Sequence, residues 1–158
     1  MSNRVRKALE TDMPAVLELI NELAVYEREP NAVEVTTEDL VRDGFGKQPL
    51  FNCFVAEEDN KIVGMALLYF RYSTWKGKTV HLEDLIVSES YRGKGFGMML
   101  YKEVMKFALE NKVKRVEWVV LDWNAPAVQF YKNTGATVFS EWDTVQFDQD
   151  SIKKFLNL

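Results

Sequence analysis

A glycine-rich run, Arg-Gly-Lys-Gly-Phe-Gly, stands at residues 92–97 between a strand-like and a helix-like segment. A turn of this kind directs unbonded backbone N–H groups and the positive end of the following helix at one point. Glycines let the backbone approach an anion without a Cβ in the way. Arg92 and Lys94 add positive charge. The run therefore predicts a phosphate or pyrophosphate site.

Two common phosphate-binding motifs do not describe this run. A Walker loop ends in Gly-Lys-Ser/Thr, whereas Gly97 is followed by Met98 and Met99. A Rossmann fingerprint has its third glycine three residues after the second, and that position after Gly97 is Leu100. From the residues alone, a glycine-rich turn without a ligand remains the alternative.

The elements around the turn follow the pattern of a mixed α/β chain. Three strand-like segments with short connections predict an antiparallel meander before the glycine run, and a crossover pair follows it. In chain order we predict a strand at 4–8, a helix from an N-cap at Thr11, a helix at 37–43, strands at 51–57, 62–72 and 79–87, a helix from the glycine run to 111, a strand at 115–121, a helix from an N-cap at Asn124, strands at 136–140 and 144–147, and a helix at 151–156.

Composition bounds the class of protein. Residues are 47% apolar and 28% charged, as in soluble globular proteins, and the length predicts one domain, 1–158. Neither a long apolar stretch nor a signal peptide is visible, which predicts no membrane span. A single cysteine and a single histidine exclude an intrachain disulfide and a structural zinc site, so we expect a cytoplasmic protein without a metal. The net charge of −4 argues against nucleic acid and is compatible with a cationic substrate.

The motif Arg92-x-x-Gly95-x-Gly97 resembles the coenzyme A signature, Arg/Gln-x-x-Gly-x-Gly/Ala, of the GNAT acetyltransferase superfamily. The order of strands and helices is similar to that of GNAT proteins as well. The resemblance implies the GNAT fold, in which helices flank a mixed central sheet with an antiparallel N-terminal meander and strands splayed at the cofactor site. The segments that resemble the spermidine/spermine acetyltransferase family lie at 22–27, 43–46, 51–57, 82–84, 91–93, 123–124 and 130–132.

The resemblance implies acetyl-coenzyme A as the acetyl donor. Three residues at the end of the strand before the glycine run would pair with the coenzyme through their backbone, although from the residues alone they are equally a buried strand. The implied coenzyme-binding residues are Leu85, Ile86, Val87, Arg92, Gly93, Lys94, Gly95, Phe96, Gly97, Met98, Asn124, Ala127 and Tyr131.

Acetyl transfer to an amine requires a base for the ammonium proton and an acid for the departing thiolate. The resemblance implies Glu83 as the general base, acting through water, and Tyr131 as the general acid. A phenol suits that role because its pKa of roughly 10 exceeds the roughly 8.5 of a thiol. Adjacent positions on a strand predict that Glu83 and Asp84 face opposite sides of the sheet. A solvated strand end for Glu83 and a core position for Tyr131 remain the alternatives.

One turn narrows the class of amine that can be the acceptor. Polyamine-specific members of the family carry Asp-Pro-Trp where this chain has Ser73-Thr74-Trp75, and an aspartate there would hold a remote ammonium. Segments 72–77 and 120–124 instead resemble the thialysine Nε-acetyltransferase branch, which implies a small lysine-like or diamine acceptor. The residues implied to bind the amine are Tyr26, Glu27, Glu83, Asp84, Trp75, Glu117, Trp118 and Val119.

Other interpretations stay open at this stage. Acetylation of polyamines, acetylation of a protein lysine or N-terminus, and a non-catalytic acetyl-coenzyme A sensor are the alternatives. Relatives in the family imply a homodimer. An exposed surface charge is an equally good interpretation of Glu27. A position in the core is an equally good interpretation of Trp118. His81 and Cys53 are predicted to be packing residues without polar partners.

Overall fold

One five-stranded mixed sheet organises the computed structural model, which describes residues 4–158. The strands lie side by side in chain order. The first four are antiparallel neighbours, and the fifth runs parallel to the fourth across a helical crossover, so the predicted meander and crossover are confirmed. The strands are β1 (Val5–Lys7), β2 (Asn52–Glu58), β3 (Lys61–Ser73), β4 (Gly77–Val87) and β5 (Val116–Glu117).

Residues 4–158 contain five α-helices. Their bounds are α1 (Met13–Tyr26), α2 (Thr37–Phe45), α3 (Phe96–Glu110), α4 (Ala125–Asn133) and α5 (Gln149–Phe155). The predicted N-cap at Thr11 is wrong, because a short 3-10 turn precedes α1 and Asp12 occupies the cap position. The Asp12 carboxylate accepts a hydrogen bond from the Leu9 N–H at 2.7 Å and forms an ion pair with Arg6 at 2.7 Å. These two contacts fix the turn that leads into α1.

The sheet carries an apolar layer on each face, and the helices supply the other half of each layer. On one face, called the α3 face, lie Phe54, Ala56, Ala66, Leu68, Val80 and Leu82 of the strands with Phe96, Leu100, Val104 and Ala108 of α3. On the other, called the α1 face, lie Cys53, Val55, Met65, Leu67 and Ile86 with Met13, Val16 and Leu19 of α1 and Leu40 of α2. Cys53 lies in this second layer, where burial raises the pKa of its thiol to about 12 and makes it an inert packing residue.

The chain forms two compact units that divide after Val119. The first contains the sheet and α1 to α3, and the second contains α4 and α5. The strands predicted at 136–140 and 144–147 are not formed, and the strand predicted at 115–121 is confined to Val116–Glu117. A strand exists only with a hydrogen-bonded neighbour, and residues 120–158 contain no strand that could serve as one. Among residues 4–158, no helix has both the length and the apolar character that a membrane crossing requires.

Candidate active site

The glycine-rich run forms the turn between β4 and α3. Gly93 and Gly95 have φ angles of +77° and +89°, which side chains larger than glycine seldom adopt. Nothing lies within 4 Å of the position that a Cβ would take at either residue. Gly95 is the N-cap of α3, and the first N–H groups of a helix have no acceptor within it. The turn therefore presents open space beside unbonded backbone donors.

The two cations of the turn are both exposed and both tethered. Arg92 donates from Nε to the carbonyl oxygen of Val87 at 3.0 Å, and its guanidinium lies 5.4 Å from the ring centre of Tyr26. Lys94 Nζ is 3.1 Å from an oxygen of Glu58. These contacts hold positive charge beside the N-terminus of α3 and link the turn to the C-terminal end of α1.

Beyond its contact with β5, strand β4 has an open edge. Strands β4 and β5 pair only at Val80–Val116 and His81–Glu117, whereas β4 continues to Val87. This short pairing is the predicted splaying of the strands. On the opposite edge, Ser88 N–H donates to the Val63 oxygen at 2.8 Å. Bonded and non-bonded positions alternate in an antiparallel pair. The backbone groups of Val87 and Leu85 therefore point away from β3. The Val87 carbonyl accepts Arg92, and an extended amide-bearing chain can pair with the other groups.

A β-bulge in β4 lies at Glu83. Leu82 is opposite Leu68 and Asp84 is opposite Leu67, so Glu83 has no residue opposite it. Leu82 and Leu85 both pack on the α3 face, although simple alternation would separate them.

The extra residue changes which way the two carboxylates point. It turns Glu83 and Asp84 together to the α1 face, where Glu83 contacts His81 and Asp84 acts electrostatically on Cys53. The prediction that the two carboxylates face opposite sides is therefore wrong.

Glu27, Glu83 and Asp84 form an acidic cluster at the C-terminal end of α1. Burial, with repulsion from Glu83 and Glu27, raises the pKa of Asp84 from 3.8 to about 6. Partial burial and Glu83 also raise the pKa of Glu27. Glu83 differs: hydrogen bonding from His81, supported by Tyr69, outweighs burial and lowers its pKa. The cluster thus offers a half-exposed cation site in which Glu83 is the firmly ionised member.

His81 links Glu83 to a guanidinium. Its Nε2 lies 3.4 Å from Glu83 Oε2, and its Nδ1 lies 3.0 Å from Arg71 Nη1. A guanidinium only donates hydrogen bonds, so we assign the imidazole proton to Nε2, facing Glu83. Contrary to the prediction of a residue without polar partners, His81 is a buried bridge between two charged groups.

Tyr69 completes the hydrogen bonding of Glu83. Its Oη donates to Glu83 Oε2 at 2.9 Å, the oxygen that His81 also faces. Burial, with the hydrogen bond to Glu83 adding to it, raises the pKa of Tyr69 to about 12, so the phenol keeps its proton. With Oε2 engaged by two groups, Oε1 is the Glu83 oxygen left for a further partner.

The other residues implied in amine binding lie in different surroundings. Tyr26 ends α1 beneath Arg92, and Glu117 binds Arg71 at 3.1 Å. Trp75 stands in the β3–β4 turn and is 82% exposed. Trp118 and Val119 follow β5: the first packs edge-on against Tyr101 and the α3 face, and the second is exposed. The structure thus joins Glu117 to the acidic cluster through Arg71, and it places Trp118 on the opposite face of the sheet.

The second unit carries three of the implied site residues on α4. The Asn124 side chain accepts the Ala127 N–H at 3.4 Å, which confirms the predicted N-cap. Tyr131 is half-buried, and its ring lies 5.5 Å from that of Phe130. Spacings of three and four residues place Asn124, Ala127 and Tyr131 on one face of the helix.

Comparison with known proteins gives the family. Residues 13–136 match the acetyltransferase (GNAT) family. The chain belongs to this family. It is 38% identical to a thialysine N-epsilon-acetyltransferase from Mus musculus, over 97% of this chain and 96% of that protein. It is 28% identical to an L-ornithine N5-acetyltransferase from Arabidopsis thaliana, over 97% of this chain and 87% of that protein.

The fold of this GNAT protein also recurs among solved structures. An integron cassette protein from the V. cholerae mobile metagenome superimposes with a TM-score of 0.80 at 24% identity, over 100% of this chain and 99% of that one. The family match and the relatives identify the chain as an acetyltransferase, as the sequence predicted. Residues 4–158 contain no group of three or more His, Cys, Asp or Glu side chains placed to hold a metal ion.

Three polar residues of this GNAT site were not predicted from the sequence: Tyr69, Arg71 and His81. The signal that could have found them is cross-strand register. In a β3–β4 hairpin, Tyr69 pairs with His81, and alternation then places Arg71 and Glu83 near the same face. Period-two alternation from His81 to Glu83 was visible along β4, but the partners on β3 depend on a pairing that composition does not reveal.

Proposed function

We propose that this enzyme transfers an acetyl group from acetyl-coenzyme A to the primary amine of a small lysine-like molecule, with thialysine as the reference acceptor. The observation that carries the proposal is the acidic cluster, in which Glu27 follows α1 while Glu83 and Asp84 lie on β4. The same strand has the open edge and leads into the glycine turn. A cation site and an anion site at the two ends of a short strand segment suit an ammonium acceptor and a pyrophosphate-bearing donor.

The residues of the first unit fit coenzyme A. Positive-φ glycines with open space beside the N-terminus of α3 suit a pyrophosphate, and the outward backbone of Leu85 and Val87 suits the amides of the pantetheine arm. Phe96 is buried and offers only its N–H. When bound, the coenzyme supplies the acetyl group as a thioester. The first-unit residues that would hold it are 85–87 and 92–98, and the family resemblance implies the same role for Asn124, Ala127 and Tyr131.

In this mechanism Glu83 receives the ammonium proton through water. Tyr69 and His81 occupy Oε2, so Oε1 is directed to the water or amine. Asp84 and Glu27 hold the ammonium in place before it is deprotonated, because a desolvated carboxylate is stabilised by a bound cation. The family resemblance implies that Tyr131 would supply its phenolic proton to the departing thiolate.

The proposed acceptor follows from the β3–β4 turn. Ser73 Oγ accepts the N–H groups of Trp75 and Lys76, both at 3.2 Å, so this position stabilises the turn and carries no charge for a remote ammonium. The names of the thialysine and ornithine relatives point to amino acids with a terminal amine. Both observations support a lysine-like acceptor over a polyamine.

A panel of amines tests this proposal. With acetyl-coenzyme A and detection of the released thiol, we expect kcat/KM for thialysine or lysine to exceed that for spermidine by at least about tenfold, the factor that about 1.4 kcal/mol of differential binding gives. Mass spectrometry of the product would locate the acetyl group on the terminal nitrogen. Equal or faster turnover of spermidine would overturn the proposed acceptor class.

Asp84 gives a pH-dependent prediction. Its pKa in the folded protein, about 6, lies above the unfolded value, so ionising it costs stability as the pH rises from about 4 to about 6. Without substrate, Asp84→Asn should therefore raise the free energy of unfolding at pH 7.5 by on the order of 2 kcal/mol, with little change at pH 4. The same variant should raise the acceptor KM, because the cation loses a partner. Urea unfolding at both pH values measures the first effect.

Asp12→Asn is the matched control for this experiment. Burial opposes ionisation of Asp12 too, but hydrogen bonds from Arg6 and the Leu9 N–H lower its pKa overall. Asp12 therefore contributes stability above its unfolded pKa, and that contribution is lost as the pH falls through the folded pKa. Asp12→Asn should destabilise at pH 7.5 and leave the acceptor KM unchanged. A destabilised Asp84→Asn at pH 7.5 would contradict the assignment of Asp84 as a costly, substrate-oriented carboxylate.

A further inference from the structure

Arg71 is a cation placed one imidazole ring away from the proposed base. Tyr69 and His81 are opposite each other in the β3–β4 register and their rings are in contact, with centres 5.2 Å apart. Arg71 lies two residues along from Tyr69, so it projects from the same face. Its Nη1 contacts Nδ1 of His81 at 3.0 Å, and the other ring nitrogen faces Glu83. The cationic Arg71 and the anionic Glu83 therefore lie on the same face of the sheet, with the imidazole ring of His81 between them.

The positive charge at Arg71 is only partly neutralised. Its carboxylate partner is Glu117, at 3.1 Å, and Glu117 also binds Arg115 at 3.3 Å. Two guanidinium groups share one carboxylate, which leaves a net charge of about +1 on the group at neutral pH. The Arg71 side chain is 50% exposed. Its contacts with His81 and with Glu117 both use Nη1. A guanidinium has five N–H donors, so Arg71 can still bind an anion.

We propose that Arg71 binds the carboxylate of the acceptor, so that the site selects a terminal-amine amino acid over a diamine or polyamine. This inference rests on the proposed function and names the group that sets its acceptor class. Carboxylates are the anions that a guanidinium binds best, through paired N–H donors. A polyamine would instead bring a second ammonium to Arg71 with no carboxylate of its own beside it to offset the repulsion between like charges.

The length of the acceptor agrees with this arrangement. In thialysine or lysine, six bonds of about 1.5 Å separate the terminal nitrogen from the carboxylate carbon, which spans about 7 Å when extended. From Glu83 to Arg71 the path crosses contacts of 3.4 Å and 3.0 Å and one imidazole ring. An amine held at Glu83 therefore brings its carboxylate into the range of Arg71.

The experiment compares thialysine with thialysine amide, in which a neutral amide of nearly the same shape replaces the carboxylate. For the wild-type enzyme we expect kcat/KM to favour the carboxylate by about tenfold or more, as a charge-assisted hydrogen bond at a half-exposed site allows. Arg71→Gln should remove most of this preference, because it raises KM for thialysine much more than KM for the amide. Arg71→Lys should keep part of the preference, because it keeps the charge.

Arg42→Gln is the control variant, since it removes an exposed arginine that pairs with Asp39 and Asp43 of α2 and leaves the contacts of Arg71 in place. It should keep the wild-type preference. Equal turnover of both acceptors by the wild type would overturn the role of Arg71 and leave acetyl transfer standing. An Arg71→Gln enzyme that loses both acceptors equally would also overturn it, since Arg71 would then only position His81 and Glu83. If the wild type acetylates neither compound, the proposed function fails and this inference with it.

Discussion

Replacing Glu83 by glutamine is expected to lower kcat with thialysine by about 10²- to 10⁴-fold at pH 7.5, the usual contribution of a general base. Glutamine preserves the shape of the side chain and can still accept the hydrogen bond from Tyr69, so the bulge and the fold should persist. What disappears is the carboxylate that takes the ammonium proton. Thiol release under saturating acetyl-coenzyme A measures the loss, and circular dichroism checks the fold.

The pH dependence separates loss of the base from loss of a charge that merely binds the acceptor. Without Glu83, reaction depends on acceptor that is already deprotonated, and an amine with a pKa near that of lysine, roughly 10, supplies about tenfold more of it per pH unit. The rate of Glu83→Gln should therefore climb steadily up to pH 9.5, while the wild type levels off. Asp84→Asn is the companion variant, and it should affect KM more than kcat. A Glu83→Gln enzyme with a kcat near that of the wild type would remove Glu83 from the mechanism.

Local patterns in the sequence were sufficient for the parts of the site that depend on neighbouring residues. Gly93 and Gly95 of the 92–97 run have the positive φ and open space that a glycine-rich turn predicts, because glycine alone adopts that backbone without strain. The meander was equally predictable, since alternating apolar residues separated by short turns favour antiparallel neighbours. Asn124 caps α4 for a reason confined to four residues, its side chain accepting the Ala127 N–H.

The bulge at Glu83 was not predictable in the same way. An unpaired residue changes the direction of every side chain after it, yet Leu82 to Leu85 have no composition that distinguishes a bulge from a regular strand. Its functional effect is large: one extra residue places Glu83 and Asp84 on one face, where burial, with repulsion from Glu83 adding to it, raises the pKa of Asp84. The contacts of His81 were missed for a related reason, because its partner Arg71 comes from the neighbouring strand.

The strands predicted at 136–140 and 144–147 were wrong for a different reason. Their apolar residues have the pattern of strands, but a strand needs hydrogen-bond partners that its own sequence cannot supply. Within residues 120–158 the structure forms α4 and α5 and no strand. Apolar residues such as Phe139 and Val145 are exposed there, so hydrophobicity and β-propensity alone did not determine the backbone conformation.

Tyr131→Phe is expected to lower kcat by about 10²-fold or more while the KM for acetyl-coenzyme A changes by less than about threefold, as expected for loss of a proton donor. The substitution removes one hydroxyl and keeps the ring that contacts Phe130, so α4 should retain its packing. The departing thiolate must then take its proton from water, which is slower because water is not held in position at the sulfur. Steady-state kinetics with both substrates varied measures the two constants separately.

The division between kcat and KM decides which role Tyr131 has, since the family resemblance implies both proton donation and contact with the coenzyme. A fall in kcat alone supports the acid, because the proton moves only in the chemical step. A rise in the KM for acetyl-coenzyme A at constant kcat would mean that the hydroxyl only binds, and another group would have to protonate the sulfur. Tyr72→Phe removes a hydroxyl from an 80% exposed tyrosine of β3 and should change neither constant. Matching losses in the two variants would trace the effect to general destabilisation and withdraw Tyr131 from the mechanism.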